Sequence, residues 1–339
     1  MGPDRRSNSP TMEDVAAVAG VSRALVSLVM RDSPKVSVHS RALVTAAAAT
    51  LGYRPNLVAR NLASRRTMTV GVVLDDLHNP WFAEVTDGLH EVLASDGYDM
   101  LLASGQRSRA VETRALETFL ASRVDGIIVM GSRVSLNRLA AVSHEVPVVS
   151  IGRTTQIETI GAVNTDDARG AELAVEFLFD LGHRRIAHVD GGHGAGASLR
   201  RAGYLRAMRR LGLGDNILVE EGDFTEETGA AAGERLMNNP CAPTAVFAAN
   251  DLSALGVIDV LARRGQGAPK HLSVVGFDNT SLASLNHIGL STIDQPRRHM
   301  GALAGRMLVQ VLAGTGALQH VVVPPNLIVR KTTGPHDAM

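Results

Sequence analysis

The chain is poor in several things. It holds one cysteine, Cys241, in 339 residues, which excludes an internal disulfide framework and a cysteine-based metal site. Aromatic residues make up 3% of it, with a single tryptophan, Trp81. No apolar run reaches the ~18 residues that a membrane-spanning helix needs. Histidines 183, 188, 193 and 287 show no metal-ligand spacing, and no nucleophile elbow or triad order is present. Behind Met1-Gly2-Pro3-Asp4-Arg5-Arg6-Ser7-Asn8 there is no apolar core. The segment therefore reads as a disordered arm over residues 1–10 rather than a signal peptide, and the expectation is a cytoplasmic protein with no membrane partner. At this length the chain exceeds one ordinary domain and can bury a large core.

Net charge is also missing, with 34 Lys and Arg against 34 Asp and Glu. The balance hides a division. Residues 1–67 hold ten basic and four acidic side chains, a surplus of six positive charges, and the remainder carries an equal negative surplus. A basic module of this size suits phosphate contacts. It contains a short helical pattern starting at Thr11. Thr11 with Asp14 three residues later reads as a capping box with an acid in the usual Glu or Gln place. Val15, Ala16 and Ala19 share one face. Gly20 supplies a tight turn, and Ser22 can cap a second helix, Ser22–Met30. Small residues at Ala16 and Ala19 let two short helices cross closely, the geometry that offers the second helix to a DNA major groove.

After Arg66 the pattern changes to strands alternating with helices, from the apolar run Met68–Leu74 to Leu272–Phe277. Such alternation predicts parallel sheets with helices on both faces, and two successive runs predict two lobes. Ligands of open parallel sheets bind beyond the carboxyl ends of the strands. Polar and aromatic residues recur there. Asp75, Asp76, Asn79, Trp81 and Phe82 follow the first strand, and Arg153 follows another. Arg200 comes after a glycine-rich loop, and Asp223 with Phe224, Asn250 with Asp251, and Asp278 follow later strands. Groups that grip hydroxyls, with aromatics to stack on a ring, suit a sugar or nucleoside pocket. A competing reading is a nicotinamide-dependent oxidoreductase. Gly192-His193-Gly194-Ala195-Gly196-Ala197 fits a dinucleotide-binding fingerprint, with Glu220 or Glu221 as the ribose-binding acid. That acid is too distant, the unit reads as other than the first strand–helix pair of its lobe, and the basic head is left unexplained.

The order of motifs resembles the lac repressor and galactose repressor (LacI/GalR) family of transcriptional regulators. It runs through Asp14-Val15-Ala16, Ala19-Gly20-Val21-Ser22, Leu51-Gly52-Tyr53-Arg54-Pro55-Asn56, Asn79-Pro80-Trp81-Phe82 and Arg123-Val124-Asp125-Gly126-Ile127-Ile128. It continues with Leu181-Gly182-His183-Arg184-Arg185-Ile186, Ala248-Ala249-Asn250-Asp251, Ser273-Val274-Val275-Gly276-Phe277-Asp278 and Gln295-Pro296. The match extends from Thr11 to about Thr333. It implies an all-α helix-turn-helix domain at 11–54, a hinge helix and linker at 55–67, and a two-lobed, periplasmic-binding-protein-like α/β core. The first lobe would take 68–165 with about 296–320, the second 166–295 with about 321–333.

The resemblance also implies residue roles. DNA contacts would come from Thr11, Ser22, Arg23, Ala24, Leu25, Ser27, Leu28, Lys35, Tyr53 and Asn56. In the hinge, Ala59 and Arg60 would join them, with Leu62 wedging into the minor groove. Effector contacts would come from Trp81, Phe82, Arg153, Arg200, Phe224, Asn250, Asp278 and Gln295. The chain departs from many relatives at Leu25 and Leu28, and a leucine cannot read guanine as a guanidinium does. It also departs at Asp166-Asp167, where an acid–Asn pair is common. The expectation is a homodimeric repressor, without catalytic activity or cofactor, on a near-palindromic operator in double-stranded DNA. Its effector would be a saccharide or polyol, with a nucleoside as the runner-up. No leucine-heptad tail follows Thr333, so no coiled-coil tetramer is expected.

Overall fold

The computed structural model describes residues 10–30, 33–53 and 66–336. The chain separates into two compact units, one ending at Thr67 and one beginning at Met68.

In the first unit, α1 spans Met12–Ala19, α2 Arg23–Met30 and α3 Val38–Leu51. The capping box forms as its spacing requires. The Asp14 amide donates to Thr11 Oγ1 at 3.3 Å, and the Thr11 amide donates to Asp14 Oδ2 at 2.7 Å. Gly20 ends α1 at φ 65°, a conformation costly for any residue with a Cβ. Ser22 Oγ then accepts the Leu25 amide at 3.2 Å and starts α2. Val15, Ala16, Val26, Val29, Val44, Ala47 and Ala48 form the core beneath the three helices. Ala19 packs on that core only in part. The expected hinge contacts Asn56, Ala59, Arg60 and Leu62 lie outside the described residues, as does the arm before residue 10.

The second unit holds two six-stranded sheets. Strands β1 (Thr69–Leu74), β2 (Asp99–Ser104), β3 (Gly126–Met130), β4 (Val148–Ile151), β5 (Ile160–Thr165) and β11 (His320–Val323) form the first. Their order is β11-β5-β4-β3-β1-β2, parallel throughout. Strands β6 (Ile186–Val189), β7 (Leu218–Glu220), β8 (Ala245–Ala248), β9 (Ser273–Asp278), β10 (Ser291–Asp294) and β12 (Asn326–Ile328) form the second. It repeats the order, β12-β10-β9-β8-β6-β7, with β12 antiparallel to β10. Helices α4 (Pro80–Ser95) and α11 (Arg297–Ala313) cover one face of the first sheet, and α5 (Arg109–Ala121) and α6 (Leu136–Ser143) cover the other. In the second lobe α7 (Asp167–Asp180) and α8 (Ala197–Arg210) lie on one face, α9 (Glu226–Met237) and α10 (Asp251–Arg263) on the other. Strands buried on both faces explain the unbroken apolar runs.

The chain passes between the lobes at 165–167, at 294–297 and at 323–326. The handover expected at about residue 320 comes slightly later, because His320–Val323 pair in register with Ala162–Thr165 of the first sheet. A second difference concerns the glycine-rich loop. Strand β6 occupies the position in its sheet that β1 occupies in the other, so this loop does follow the first strand of its lobe. The helix before β6, α7, comes directly after a crossing between lobes and obscures that in the sequence.

Candidate functional site

Between the two sheets' carboxyl ends lies a cleft of about 560 Å³ including its open mouth. Each side of it is set by local structure. In the first lobe Asn79 Oδ1 accepts the Trp81 amide at 2.9 Å and Pro80 starts α4, which fixes Trp81 and Phe82 on the first turn. Their rings stand edge to face, centroids 5.0 Å apart. Gly131 and Gly152 make room: a Cβ there would lie 3.0 Å from the Phe82 ring and 3.1 Å from the Trp81 ring. Trp81 Nε1 is buried without a hydrogen-bond partner among the described residues. A buried donor of this kind calls for an acceptor, a ligand oxygen or an ordered water.

The opposite wall comes from the second lobe. Arg200, on the first turn of α8, donates through Nε to Asp167 Oδ1 at 2.8 Å and through Nη1 to the Ala249 carbonyl at 2.5 Å. Its guanidinium lies 3.7 Å from the Phe277 ring centroid and 5.3 Å from that of Phe224. Asp278 lies 3.5 Å from Arg200 and accepts from Gln295 Nε2 at 2.6 Å, while Gln295 Oε1 accepts the Thr165 hydroxyl at 2.9 Å. Burial pushes the Asp278 carboxyl up to about 7, with Arg200 opposing and the Asp251 carboxylate reinforcing. Burial also raises Asp167, with Arg200 opposing. These side chains form a fixed, buried set of donors and acceptors, suited to hydroxyl groups.

The cleft thus gathers Trp81, Phe82, Arg200, Phe224, Asp278 and Gln295 from the sequence-predicted set. Two members are placed elsewhere. Asn250 uses both ends of its amide internally: Oδ1 caps α10 through the Ser253 amide at 2.9 Å, and Nδ2 donates to the Phe224 carbonyl at 3.0 Å. It positions Phe224 instead of lining the cleft. Arg153 donates to the carbonyls of Ser132, at 3.0 Å, and Val134, and faces an adjoining chamber.

The sequence reading missed Arg107 and Arg133. Both line the cleft from loops just beyond β2 and β3. Arg133 donates to Asp75 Oδ1 at 2.9 Å and lies 3.4 Å from Asp223 of the second lobe. Arg107 pairs with Asp223 and donates to its carbonyl at 2.7 Å. Asp75 is pushed up by burial against the pull of Arg133. Applying the strand-end rule to every strand would have found both arginines.

The glycine-rich loop has a different occupant from the one its fingerprint suggests. A Cβ on Gly191 or Gly194 would lie 2.4 Å from the Phe224 ring. The glycines thus admit a phenyl ring, and Glu220 is held by Arg235 at 2.5 Å.

In the helical unit, Thr11, Ser22, Arg23, Ala24 and Lys35 are exposed, and Leu25, Ser27, Leu28 and Tyr53 are half-buried. Arg23 pairs with Glu13 at 2.9 Å across an open surface. Tyr53 packs against the three-helix core, where burial, then Glu13, raises its hydroxyl.

A model of bacterial regulatory proteins of the lacI family matches residues 11–56, and one of a periplasmic binding protein-like domain matches 175–333. Catabolite control protein A of Priestia megaterium is 36% identical over 307 residues, covering 89% of this chain and 92% of that protein. The chain belongs to the lacI family of bacterial regulatory proteins. The lac repressor dimer bound to operator and the anti-inducer ONPF superposes with TM-score 0.86 at 30% identity, covering 96% of this chain and 100% of that one. A CelR–cellobiose complex superposes with TM-score 0.70 at 33% identity over 95% and 99% of the two chains. This lacI-family member is a transcriptional regulator built from an N-terminal helical unit and a two-lobed α/β core. Among its described residues no helix is long and apolar enough to cross a membrane.

Proposed function

We propose that this regulator is a homodimeric repressor that binds a near-palindromic site in double-stranded DNA through its helical unit and a sugar or polyol through its cleft. The carrying observation is the cleft's chemistry. A guanidinium, a carboxyl group and an amide are held by one another at 2.6–3.5 Å, beside two aromatic rings and one unpartnered indole N–H. Such a set discriminates hydroxyl patterns, because an unmatched partner leaves a buried polar group unpaired. Among related proteins, the lac repressor has been solved bound to operator and CelR in complex with cellobiose. The exposed start of α2, with Ser22, Arg23 and Ala24, suits base-edge contacts, and Lys35 suits phosphate.

The chain acts by binding, without catalysis, in the cytoplasm at the nucleoid. The support is that the cleft acids Asp75 and Asp278 are engaged by arginine or glutamine, and that the fingerprint glycine Gly194 admits the Phe224 ring. Residues 55–67 serve as the hinge, with Leu62 as its wedge. Effector binding changes the cleft's closure and, through it, DNA affinity, which requires unequal effector affinity for the two states.

Calorimetry with sugars, polyols and nucleosides, alongside anisotropy on a palindromic site near the protein's own gene, tests this. Replacing Asp278→Ala should cost about 1–3 kcal/mol of effector affinity by leaving ligand and Gln295 groups unpaired. DNA affinity without effector should be kept. Equal effector affinity in both proteins removes Asp278 from the site, and no binding to the palindromic site at low salt removes the DNA reading.

A further inference from the structure

Beside the cleft, and sharing Arg107, Arg133 and Ala195 with it, lies a broader chamber of about 1610 Å³ including its open mouth. Four arginines line it: Arg107, Arg109, Arg133 and Arg153. The facing wall is the glycine-rich loop and the first turn of α8, with His193 and Ser198.

The charges do not balance. Arg107 and Arg133 are matched by Asp223 and Asp75. Arg109 and Arg153 form no ion pair among the described residues. Arg109 donates only to the Arg133 carbonyl, at 3.1 Å, and Arg153 only to the Ser132 and Val134 carbonyls. Burial, helped by the charge of Arg109, lowers the Arg153 pKa against the pull of Glu112. Glu112 is itself occupied, accepting the Ser132 hydroxyl at 2.5 Å and the Arg133 amide at 3.0 Å. Two guanidinium groups therefore face the chamber without an ion-pair partner among the described residues. Gly196, at the N-cap of α8, gives no side-chain acceptor to the first-turn amides, so the helix end adds positive potential on the opposite wall.

We propose that this chamber is an anion subsite that takes the phosphate of a phosphorylated sugar whose ring lies in the adjoining cleft. The inference rests on the sugar reading of the cleft and names the substituent that reading leaves open. A shared wall lets one small molecule reach both spaces. Guanidinium forks opposite a helix N-terminus match the three oxygens of a phosphoryl group.

Full-length protein in phosphate-free buffer is titrated by calorimetry with inorganic phosphate, then with hexose and pentose phosphates beside their neutral parents. Inorganic phosphate alone should bind measurably, and one sugar phosphate should bind at least about tenfold more tightly than its parent. Arg109→Gln, a change at an exposed side chain, should remove most of that advantage while leaving the parent sugar's affinity in place. Adding Arg153→Gln should abolish the advantage. If the double variant fails to fold, Arg109→Gln alone decides. No phosphate binding, or phosphate binding unaltered by Arg109→Gln, overturns the subsite. A neutral sugar that gains nothing from phosphorylation overturns it and leaves the cleft reading intact. Phosphate binding lost in Arg109→Gln, with no sugar of either kind bound, upholds the subsite and sinks the sugar reading instead.

Discussion

At the residue scale, two side chains of the cleft report on themselves. Trp81 is the sole tryptophan of the chain and lines the cleft with an unpartnered indole N–H. Intrinsic emission at tryptophan wavelengths therefore reads one ring. A ligand hydroxyl accepting from Nε1 should change that emission saturably, with the midpoint found by calorimetry; saturation in the heat signal without an optical change would place the ligand away from Trp81. Asp278 gives a pH test. Its carboxyl rises from an ordinary 3.8 to about 7, so between those values the folded chain holds a proton that the unfolded chain releases. Stability from this source is complete below 3.8 and is lost as pH rises through 7. His188 works the other way: burial pushes it down to about 4, and stability is lost as pH falls from 6.5. The difference between the wild type and Asp278→Asn largely cancels the histidine. That variant keeps an acceptor for Gln295, and it should gain stability relative to the wild type between pH 4 and 8. A pH-independent difference in urea midpoints would show that Asp278 ionises normally. Arginines were the least legible residues. Arg107 and Arg133 sit in loops where a lone charge ordinarily faces water, and only the approach of Asp223 from the other lobe makes them part of a site.

Elements differ in legibility for a reason the packing shows. Gly126–Met130 stands out in the sequence because it is buried on both faces and wholly apolar. Ile160–Thr165 and Ser291–Asp294 do not, although both are largely buried. Their polar side chains serve the interior: Thr165 binds Gln295 at 2.9 Å and Thr292 binds Asp251 at 2.6 Å. A strand whose alternate residues hold a polar network reads as a loop until its partners are known. Helix α11 is hidden by glycine. A Cβ on Gly301 would lie 2.0 Å from the Val85 carbonyl oxygen of α4, and one on Gly88 of α4 would lie 2.0 Å from that of Arg298. The same reciprocity recurs where α9 meets α10, between Gly229 and Ser253 and between Gly256 and Glu226. These glycines, unfavourable for isolated helices, let backbones touch. Gly301→Val should force α4 and α11 apart and destabilise the core by about 1–3 kcal/mol or more. Gly214→Ala, where a Cβ meets nothing within 4 Å, is the control. Equal melting temperatures for the two variants would refute the close crossing.

For the molecule as a whole, the alternation of strands and helices announced two lobes, whereas the bonds between them belong to tertiary structure alone. Asp223 of the second lobe joins Arg107 and Arg133 of the first. Glu84 of α4 accepts the Ser281 amide of the second lobe at 2.9 Å and is steadied by Arg297 Nε of α11, in its own lobe, at 2.7 Å. The cleft is therefore held shut by clasps on two sides. Asp223 is more than one-third exposed, so solvent discounts its pairs to about 1 kcal/mol. Even so, that much shifts a two-state equilibrium about fivefold. Asp223→Ala should open the unliganded core, raising its radius of gyration in solution scattering and speeding amide exchange in the loops that follow β2, β3 and β7. Double-mutant analysis with Arg107→Gln should be non-additive, because either change alone breaks the same pair. Arg298→Gln provides the contrast, since it removes exposed pairs with Asp87 and Glu91 between α4 and α11, within the first lobe. If Asp223→Ala and Arg298→Gln leave scattering and exchange alike, charge in general is at work and the Asp223 clasp does not set closure. A selective effect of Asp223→Ala makes closure adjustable through a single ion-pair cluster at the cleft mouth, where Asp223 reaches across from the second lobe to Arg107 and Arg133.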